Sequence, residues 1–401
     1  MAFSSGAQRD LFYKREAVYG VTPYDTGAVI RTTGFSELRN TEDSISLARD
    51  NFVSDERRGD RGIHDLRLGN KQPAGDIGFE FGYTAFDDFL EAALCSDLIA
   101  SAVSVSTNVN ATIVAATGVI TFVGETIITD GYEVGDNVLM EDWVNTGNNG
   151  TFVITAIPDE THMTVYPVTD LTNEACLVVD LTAYKTAWPI AGTEEIKKGT
   201  HVTSFSVIKS FSDIARYQLF TGGIVNTMSL DIKPNGMVTG SFGMLFKDMS
   251  SGAGDYVTDT PSVVGTTAPF DGFTGSITEG GAAIATVSGL TLNLDNGFER
   301  NFVLMSNANP QVTSGKSNIT GTVTLFFEDS TEYDKFVDET ESEIVITLQD
   351  LDANTIEIDL PRIKYTSAET PVNSDGATII TMNFQALDDS GEASNIVITR
   401  S

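Results

Sequence analysis

Residues 75–93 read GDIGFEFGYTAFDDFLEAA, and residues 321–340 read GTVTLFFEDSTEYDKFVDET. Gly75 aligns with Gly321, and Ile77, Phe79 and Phe81 align with Val323, Leu325 and Phe327. After a one-residue gap, Phe86, Asp87, Phe89 and Leu90 align with Tyr333, Asp334, Phe336 and Val337. In both stretches apolar residues first alternate and then recur at three and four residues. That change of period predicts a strand running into a short helix, twice in one chain.

Outward from these stretches the agreement is looser. Ser204–Phe246 holds strand-like runs around Phe205–Ile208, Tyr217–Phe220, Thr227–Ile232 and Val238–Phe246. Ile344–Leu387 holds runs around Ile344–Leu348, Thr355–Leu360, Ile363–Tyr365 and Thr378–Leu387. Each last strand is entered from a polar turn, Lys233–Gly236 and Asn373–Gly376, and the closing hairpins end on Phe242 and Phe384. One β-rich unit present twice favours ring or repeat assembly. Chance alternation among β-rich segments is the competing explanation.

At 401 residues the chain is long enough for two or three domains, each with its own core. The formal charge of −32 argues against a nucleic-acid-binding surface, because neutralising phosphates needs clustered Lys and Arg. It is compatible with a surface that does not adhere to DNA, and equally with solubility alone. The sequence has no run of eighteen apolar residues and no signal-peptide pattern at Met1–Gly20, so neither a membrane span nor export is expected. Cys95 and Cys176 are too few for a disulfide framework, and each lies beside apolar residues, as expected of a buried thiol.

Residues 10–40 read as an extended start. A long hairpin follows, with arms expected at Ser44–Leu47 and Asp76–Tyr83 and a polar loop, Asp55–Gly69, between them. Loops of that length are usually functional or disordered. Its Arg57, Arg58, Arg61 and Arg67 read either as a contact arm for an acidic patch on a neighbouring subunit or as a solvated tip of balanced charge. Phe86–Leu94 reads as an amphipathic helix packed on a sheet.

Residues 101–190 have no counterpart in the second copy and read as an inserted β module, barrel-like or sandwich-like. Its strands are expected near Ala111–Val114, Ile120–Val123, Asn137–Met140, Phe152–Ile157 and Met163–Tyr166. Insertions succeed at exposed loop tips, so the module is expected to project outward. The Gly/Ser/Thr-rich stretch 248–272 reads as a linker between the copies. The expected domains are thus 1–100 with 191–247, the insert 101–190, the linker 248–272, and 273–401.

No chemical motif supports an enzyme. His64, His162 and His201 lie in separate segments without metal-ligand spacing, and no nucleophile elbow, phosphate loop or dinucleotide fingerprint occurs. Asp338–Glu343 lacks the spacing of a calcium loop and reads as a solvated face. Asp87 and Asp88 fall at a helix start, where the dipole favours carboxylates. Catalytic, cofactor-binding and metal residues are all assigned as none.

Several stretches together carry a family resemblance. They are Tyr19–Pro23, Ser54–Arg61 leading into Gly75–Phe81, and Phe86–Leu94. To these add Ser204–Val207, Gly222–Ser229, and Pro234–Gly236 entering Thr239–Gly243. Their order resembles the tail tube proteins, or major tail proteins, of long-tailed bacteriophages (siphophages). Gly135–Asp136 with Asn148–Phe152 is similar to inserted modules of that family. The resemblance covers most of residues 10–247 and, through the internal repeat, residues 285–390. It implies a mainly β fold: two tandem tail-tube β-sandwich domains, each with a short flanking α-helix, plus the small inserted β domain.

It also implies a structural subunit that self-assembles into stacked rings, forming a hollow tube through which DNA passes during ejection. The expected partners are further copies of the chain, other tail proteins at the tube ends, and DNA in transit without specific binding. The expected location is the virion tail, with assembly in the bacterial host cytoplasm. With two domains per chain, three chains make a pseudo-hexameric ring, a homotrimer. About twenty-four strands spaced ~4.8 Å and tilted ~40° give a backbone diameter of ~48 Å. Less a side-chain layer on each wall, the bore is about 35–40 Å, wider than duplex DNA. The Arg57, Arg58, Arg61 and Arg67 loop is the candidate contact between rings. The alternative is a tandem β-domain adhesion protein on a virion or cell surface.

Overall fold

The structure is a computed structural model that describes residues 9–16, 18–22, 25–26, 29–30, 35–56, 62–96, 104–124, 127, 132, 137–166, 168, 171–184, 194–253, 262–263, 267–284, 286–370 and 377–400. Over these residues the chain is mainly β, with two seven-residue α-helices. It divides into two compact units, Met1–Cys95 with Lys197–Ser401, and Ser96–Ile196.

The larger unit contains β1 (Arg9–Glu16), β2 (Ser46–Val53), β3 (Leu66–Glu80), α1 (Asp87–Ala93), β4 (Ser204–Phe211), β5 (Arg216–Ile232), β6 (Thr239–Leu245) and β7 (Asp248–Ala253). It continues with β8 (Gly275–Glu279), β9 (Val287–Asp295), β10 (Asn318–Phe326), α2 (Thr331–Val337), β11 (Ser342–Gln349), β12 (Thr355–Glu369), β13 (Ile379–Ala386) and β14 (Val397–Arg400). In the first set β4 pairs with β1 and with the start of β5, which also pairs with β7. The end of β5 pairs with β6, β6 with β3, and β3 with β2. The second set repeats every one of these pairings, β8 standing for β1 and so on to β14 for β7.

Two of the ladder irregularities recur as well. The β5–β6 ladder skips a residue between Val225 and Thr227, and β12–β13 skips one between Tyr365 and Ser367. The β4–β5 ladder shifts between Phe205 and Val207, and β11–β12 between Ser342 and Ile344. Bulges are specific local features of a strand pair, so their matched positions fix the equivalence of residues. The pairing also corrects the sequence alignment of the closing hairpins. Phe242 faces Ile77 and Met382 faces Val323, so Met382, not Phe384, is the counterpart of Phe242. Phe384 faces Gly321 just as Met244 faces Gly75. Side-chain type misleads here because register is set by the ladder.

Two further sequence expectations change. The paired runs 217–220 with 227–232, and 355–360 with 363–365, are single strands, β5 and β12. Each bends midway and its two ends join different neighbours, as strands do at the corners of packed sheets. In β5 the bend uses Gly222, whose φ of +63° suits glycine, and a Cβ there would lie 2.6 Å from Lys247 Cβ. The first hairpin is also longer than expected. Leu66 and Arg67, assigned to the loop, pair with Val53 and Phe52. This arm is exposed on both faces, so it lacks the alternation that marks a half-buried strand.

Aromatic side chains fill the first core. Phe89 of α1 stacks on Phe205 at 4.9 Å, and Phe79 stacks on Phe242 at 4.5 Å. Burying each such ring contributes roughly 1.5–3 kcal/mol. Within the stretch 248–272, Asp248–Ala253 is strand β7.

The smaller unit is a closed six-stranded barrel of Ser104–Val114, Val119–Val123, Asn137–Glu141, Gly150–Asp159, His162–Tyr166 and Glu174–Tyr184. The last of these is absent from the sequence reading, because Cys176–Val179 is a continuous apolar run without alternation. Ile120, Val138, Met140 and Met163 fill its core.

Candidate functional site

One ladder joins the two halves of the larger unit. The end of β5 pairs with β9 as well as β6, from Thr227 opposite Asp295 to Ile232 opposite Leu290. The result is a continuous antiparallel run of eight strands in the order β2-β3-β6-β5-β9-β10-β13-β12.

Its two faces differ. Ile77, Phe79, Leu230, Leu292, Val323 and Met382 point to the core and are buried. The alternate residues form a polar face, as the two-residue period of a strand requires. Hydroxyls and amides cross-link that face. Ser229 and Ser241 share a hydrogen bond of 2.9 Å, Thr322 donates to Asn383 at 2.7 Å, and Asn383 donates to Ser367 at 2.8 Å. Glu42, on the short strand Glu42–Asp43 beside β3, and Asp76, Glu80, Asp231, Asp295 and Glu369, on β3, β5, β9 and β12, are carried on the same face. Glu42, Asp76 and Asp231 border one shallow groove with Ser229 and Ser241. The nearest cations are at the ends of the face: Lys233 pairs with Asp231, and Lys364 lies 3.6 Å from Glu341. The face is therefore acidic and hydrogen-bonding, with its cations only at the margins.

Its two edges are open among the described residues. β2 pairs with β3 alone, and Lys364–Glu369 of β12 pairs with β13 alone. An open strand edge presents unpaired N–H and C=O groups and invites another chain. At one end, two arms extend beyond the sheet. The β2–β3 arm exposes Phe52, Ile63, Leu66 and Leu68, and the segment between β9 and β10 exposes Val303, Leu304 and Met305. The arms touch: Lys71 N–H donates to Asn307 O at 2.8 Å, and Arg300 Nη2 donates to Pro73 O at 2.5 Å.

Charged clips hold the helices. Asp88 of α1 accepts from Tyr13 and from Arg15 Nε, each at 2.9 Å, and Arg15 also pairs with Glu91. Arg400 of β14 reaches Asp87 at 2.6 Å. Burial pushes the Glu91 carboxyl up to about 7 against the pull of Arg15. In the second half Lys335 of α2 lies 2.9 Å from Glu279, which also accepts from Tyr365 at 2.8 Å. Asp359 of β12 is pushed up to about 7 by burial and by the like charges of Glu343 and Glu357.

Of the four arginines singled out from sequence, Arg57, Arg58 and Arg61 lie outside the described residues. Arg67 is on β3, its side chain 84% exposed and 3.2 Å from Asp65. Among the described residues no group of three His, Cys, Asp or Glu is placed to hold a metal. His162 instead pairs with Asp159 at 2.8 Å. Both cysteines are thiols. Among the described residues no helix is long and apolar enough to cross a membrane. The six carboxylates of the polar face escape sequence reasoning because they come together only through pairing of distant strands.

No curated protein matches the chain. The family model for phage tail tube proteins matches residues 6–386, from before β1 through the end of β13, and the chain belongs to that family.

Proposed function

We propose that three copies of this chain close into a ring, that rings stack into a hollow tube, and that DNA passes through the bore during ejection. Family membership gives the structural role in a virion tail tube. The observation that carries the finer reading is the eight-stranded run with one acidic face and two open edges. Three such runs supply about twenty-four strands, which at ~4.8 Å spacing and ~40° tilt enclose a barrel ~48 Å across. Glu42, Asp76, Glu80, Asp295 and Glu369 then line the bore, where their repulsion of phosphate keeps the duplex from adhering.

In this reading residues 1–100 with 191–247, extended by strand β7, and residues 273–401 are two tube domains linked through the rest of 248–272, and residues 101–190 are a module outside the tube wall. The arm bearing Arg57, Arg58, Arg61 and Arg67 contacts the next ring, supported by the exposed Ile63, Leu66 and Leu68 beside it. Other tail proteins cap the tube ends, and assembly takes place in the host cytoplasm. Negative-stain electron microscopy of the concentrated protein tests this. Hollow tubes with six lobes and three protruding modules per ring are expected. Monodisperse monomers with no tubes, even when a tail-tip initiator is added, would overturn it.

A further inference from the structure

We infer that the junction between the two halves of one chain is the template for the junction between chains, and that it gives the register in which neighbouring chains pair. This rests on the ring reading above and names its contact. Within the chain, the end of β5 pairs with β9 so that Thr227 faces Asp295, Met228 faces Leu294 and Ser229 faces Asn293. The matched ladders carry Thr227, Met228 and Ser229 onto Ser367, Ala368 and Glu369 of β12. They carry Asn293, Leu294 and Asp295 onto Ser46, Leu47 and Ala48 of β2. Both equivalents lie on the open edges. The pseudo-symmetry therefore sets Ser367 opposite Ala48, Ala368 opposite Leu47, and Glu369 opposite Ser46 of a second copy.

An independent observation points to the same surface. At the internal junction, residues just beyond β9 cover α1. Asn296 Nδ2 donates to Ala93 O at 2.7 Å, and Phe298 packs with Cys95 and Ile224. Every residue of α1 from Phe89 to Ala93 is buried. α2 is the counterpart of α1, yet none of its residues is buried, and Val337 is 58% exposed. The segment that corresponds to the cover begins at Arg49, and Phe52 and Val53, which follow on the same strand, are exposed at 63% and 44%. Two apolar surfaces that lack partners in the single chain thus fall opposite one another at the same junction.

The intramolecular alternative is ruled out by distance, since the two edges are separated by seven strand spacings, on the order of 34 Å. Facing residues of an antiparallel pair have Cα atoms ~4.5–5.5 Å apart, within reach of a disulfide, whereas diagonal ones are ~7–8 Å apart and outside it. The test uses the full chain carrying S46C with E369C, a diagonal control carrying A48C with E369C, each single variant, and the wild type. Positions 46, 48 and 369 are exposed, and circular dichroism checks that each variant folds. After mild oxidation, the in-register pair is expected to give a ladder on non-reducing gels that closes at three chains. A mixture of the two single variants should stop at dimers, and the diagonal pair should link poorly. Val337→Asp, on the exposed face of α2, should leave the unfolding midpoint unchanged and weaken assembly on the order of tenfold. Tubes that link through the diagonal pair and not the in-register pair would overturn the register and leave the tube reading intact. Wild-type assembly by Val337→Asp would overturn the part played by α2. Absence of tubes and of every cross-link in all chains, the wild type included, would overturn both.

Discussion

The two halves of the larger unit share one pairing diagram and differ in nearly everything else. The first packs its helix with Phe86, Phe89 and Leu90 against Phe79, Phe205 and Phe242. The second places Tyr333 and Val337 of its helix in solvent. The charge on the clips is inverted as well. Tyr13 of β1 meets a helix carboxylate, Asp88, whereas its counterpart Glu279 of β8 meets a helix ammonium, Lys335. Backbone ladders and bulges are retained while side chains are free to change, provided each position keeps its face. The difference also has a structural cause. α1 is covered by the second half of its own chain, and no residue of α2 is buried.

The sharpest test of that contrast is truncation of the equivalent helix rings. Phe89 is fully buried between Tyr13, Phe205 and Phe242, so Phe89→Ala is expected to cost about 3–5 kcal/mol. Phe336 is half-buried and touches Tyr333, so Phe336→Ala is expected to cost well under half of that in the unassembled chain. Urea unfolding midpoints compare the two, and equal losses would break the contrast.

Arg15→Ala follows. It strips both Asp88 and Glu91 of a buried countercharge, a loss of about 3 kcal/mol. Its pH dependence has a definite sign. The folded Glu91 carboxyl lies near 7, above the ordinary value, so its ionised form is penalised above 7 and relieved as pH falls toward the ordinary range. Without Arg15 that penalty grows, so the variant should lose more at about pH 8 than at about pH 5. Lys335→Ala should lose less, because Tyr365 still donates to Glu279. A flat pH profile for Arg15→Ala would show that Glu91 gains solvent access instead.

These differences also explain what the sequence can and cannot convey. The strand-to-helix steps at residues 75–93 and 321–340 are legible because each strand is buried on one face and its helix begins within a few residues. The mainly β class follows from the same alternation. The arm Asn51–Leu68 is illegible because both faces are exposed, so nothing alternates. The barrel strand Glu174–Tyr184 is missed because its middle is apolar throughout. The β5–β9 ladder pairs segments that are distant in sequence, and no local signal encodes it. The acidic face inherits that illegibility: Asp76 and Asp295 look like ordinary strand carboxylates until the ladder sets them on one surface.

Gly222→Ala probes the bend that lets β5 serve two neighbours. The positive φ and the close Lys247 side chain make about 2 kcal/mol of destabilisation the expected result by thermal or urea unfolding. The counterpart of Gly222 is Arg362, which reaches the bend with ordinary backbone and pairs at the surface with Glu341. Arg362→Ala should leave the midpoint nearly unchanged. Comparable losses at the two positions would mean that the second bend depends on its ion pair rather than on Pro361 and the backbone.

A smaller effect than that of Gly222→Ala is expected at Asp359, where the ladders place Leu219 in the first half. Leu219 is buried without cost, whereas Asp359 Oδ1 is buried without a hydrogen bond and faces the charges of Glu343 and Glu357. Its folded value near 7 is above the ordinary aspartate value, so folding takes up a proton between the two. Stability should therefore rise as pH falls from about 8 through 7, and the gain should be complete near the ordinary value, about 4. Solvent reaches part of the group and screens its neighbours, which reduces the expected gain to about 1 kcal/mol. Asp359→Asn should capture that gain at pH near 8 and abolish this segment of the pH profile, while Leu219→Asp should impose the same dependence on the first half. If Asp359→Asn leaves the slope between about pH 8 and pH 5 intact, the proton is taken up elsewhere, and Glu332, pushed up to about 7 beside Glu279, is the group to replace next.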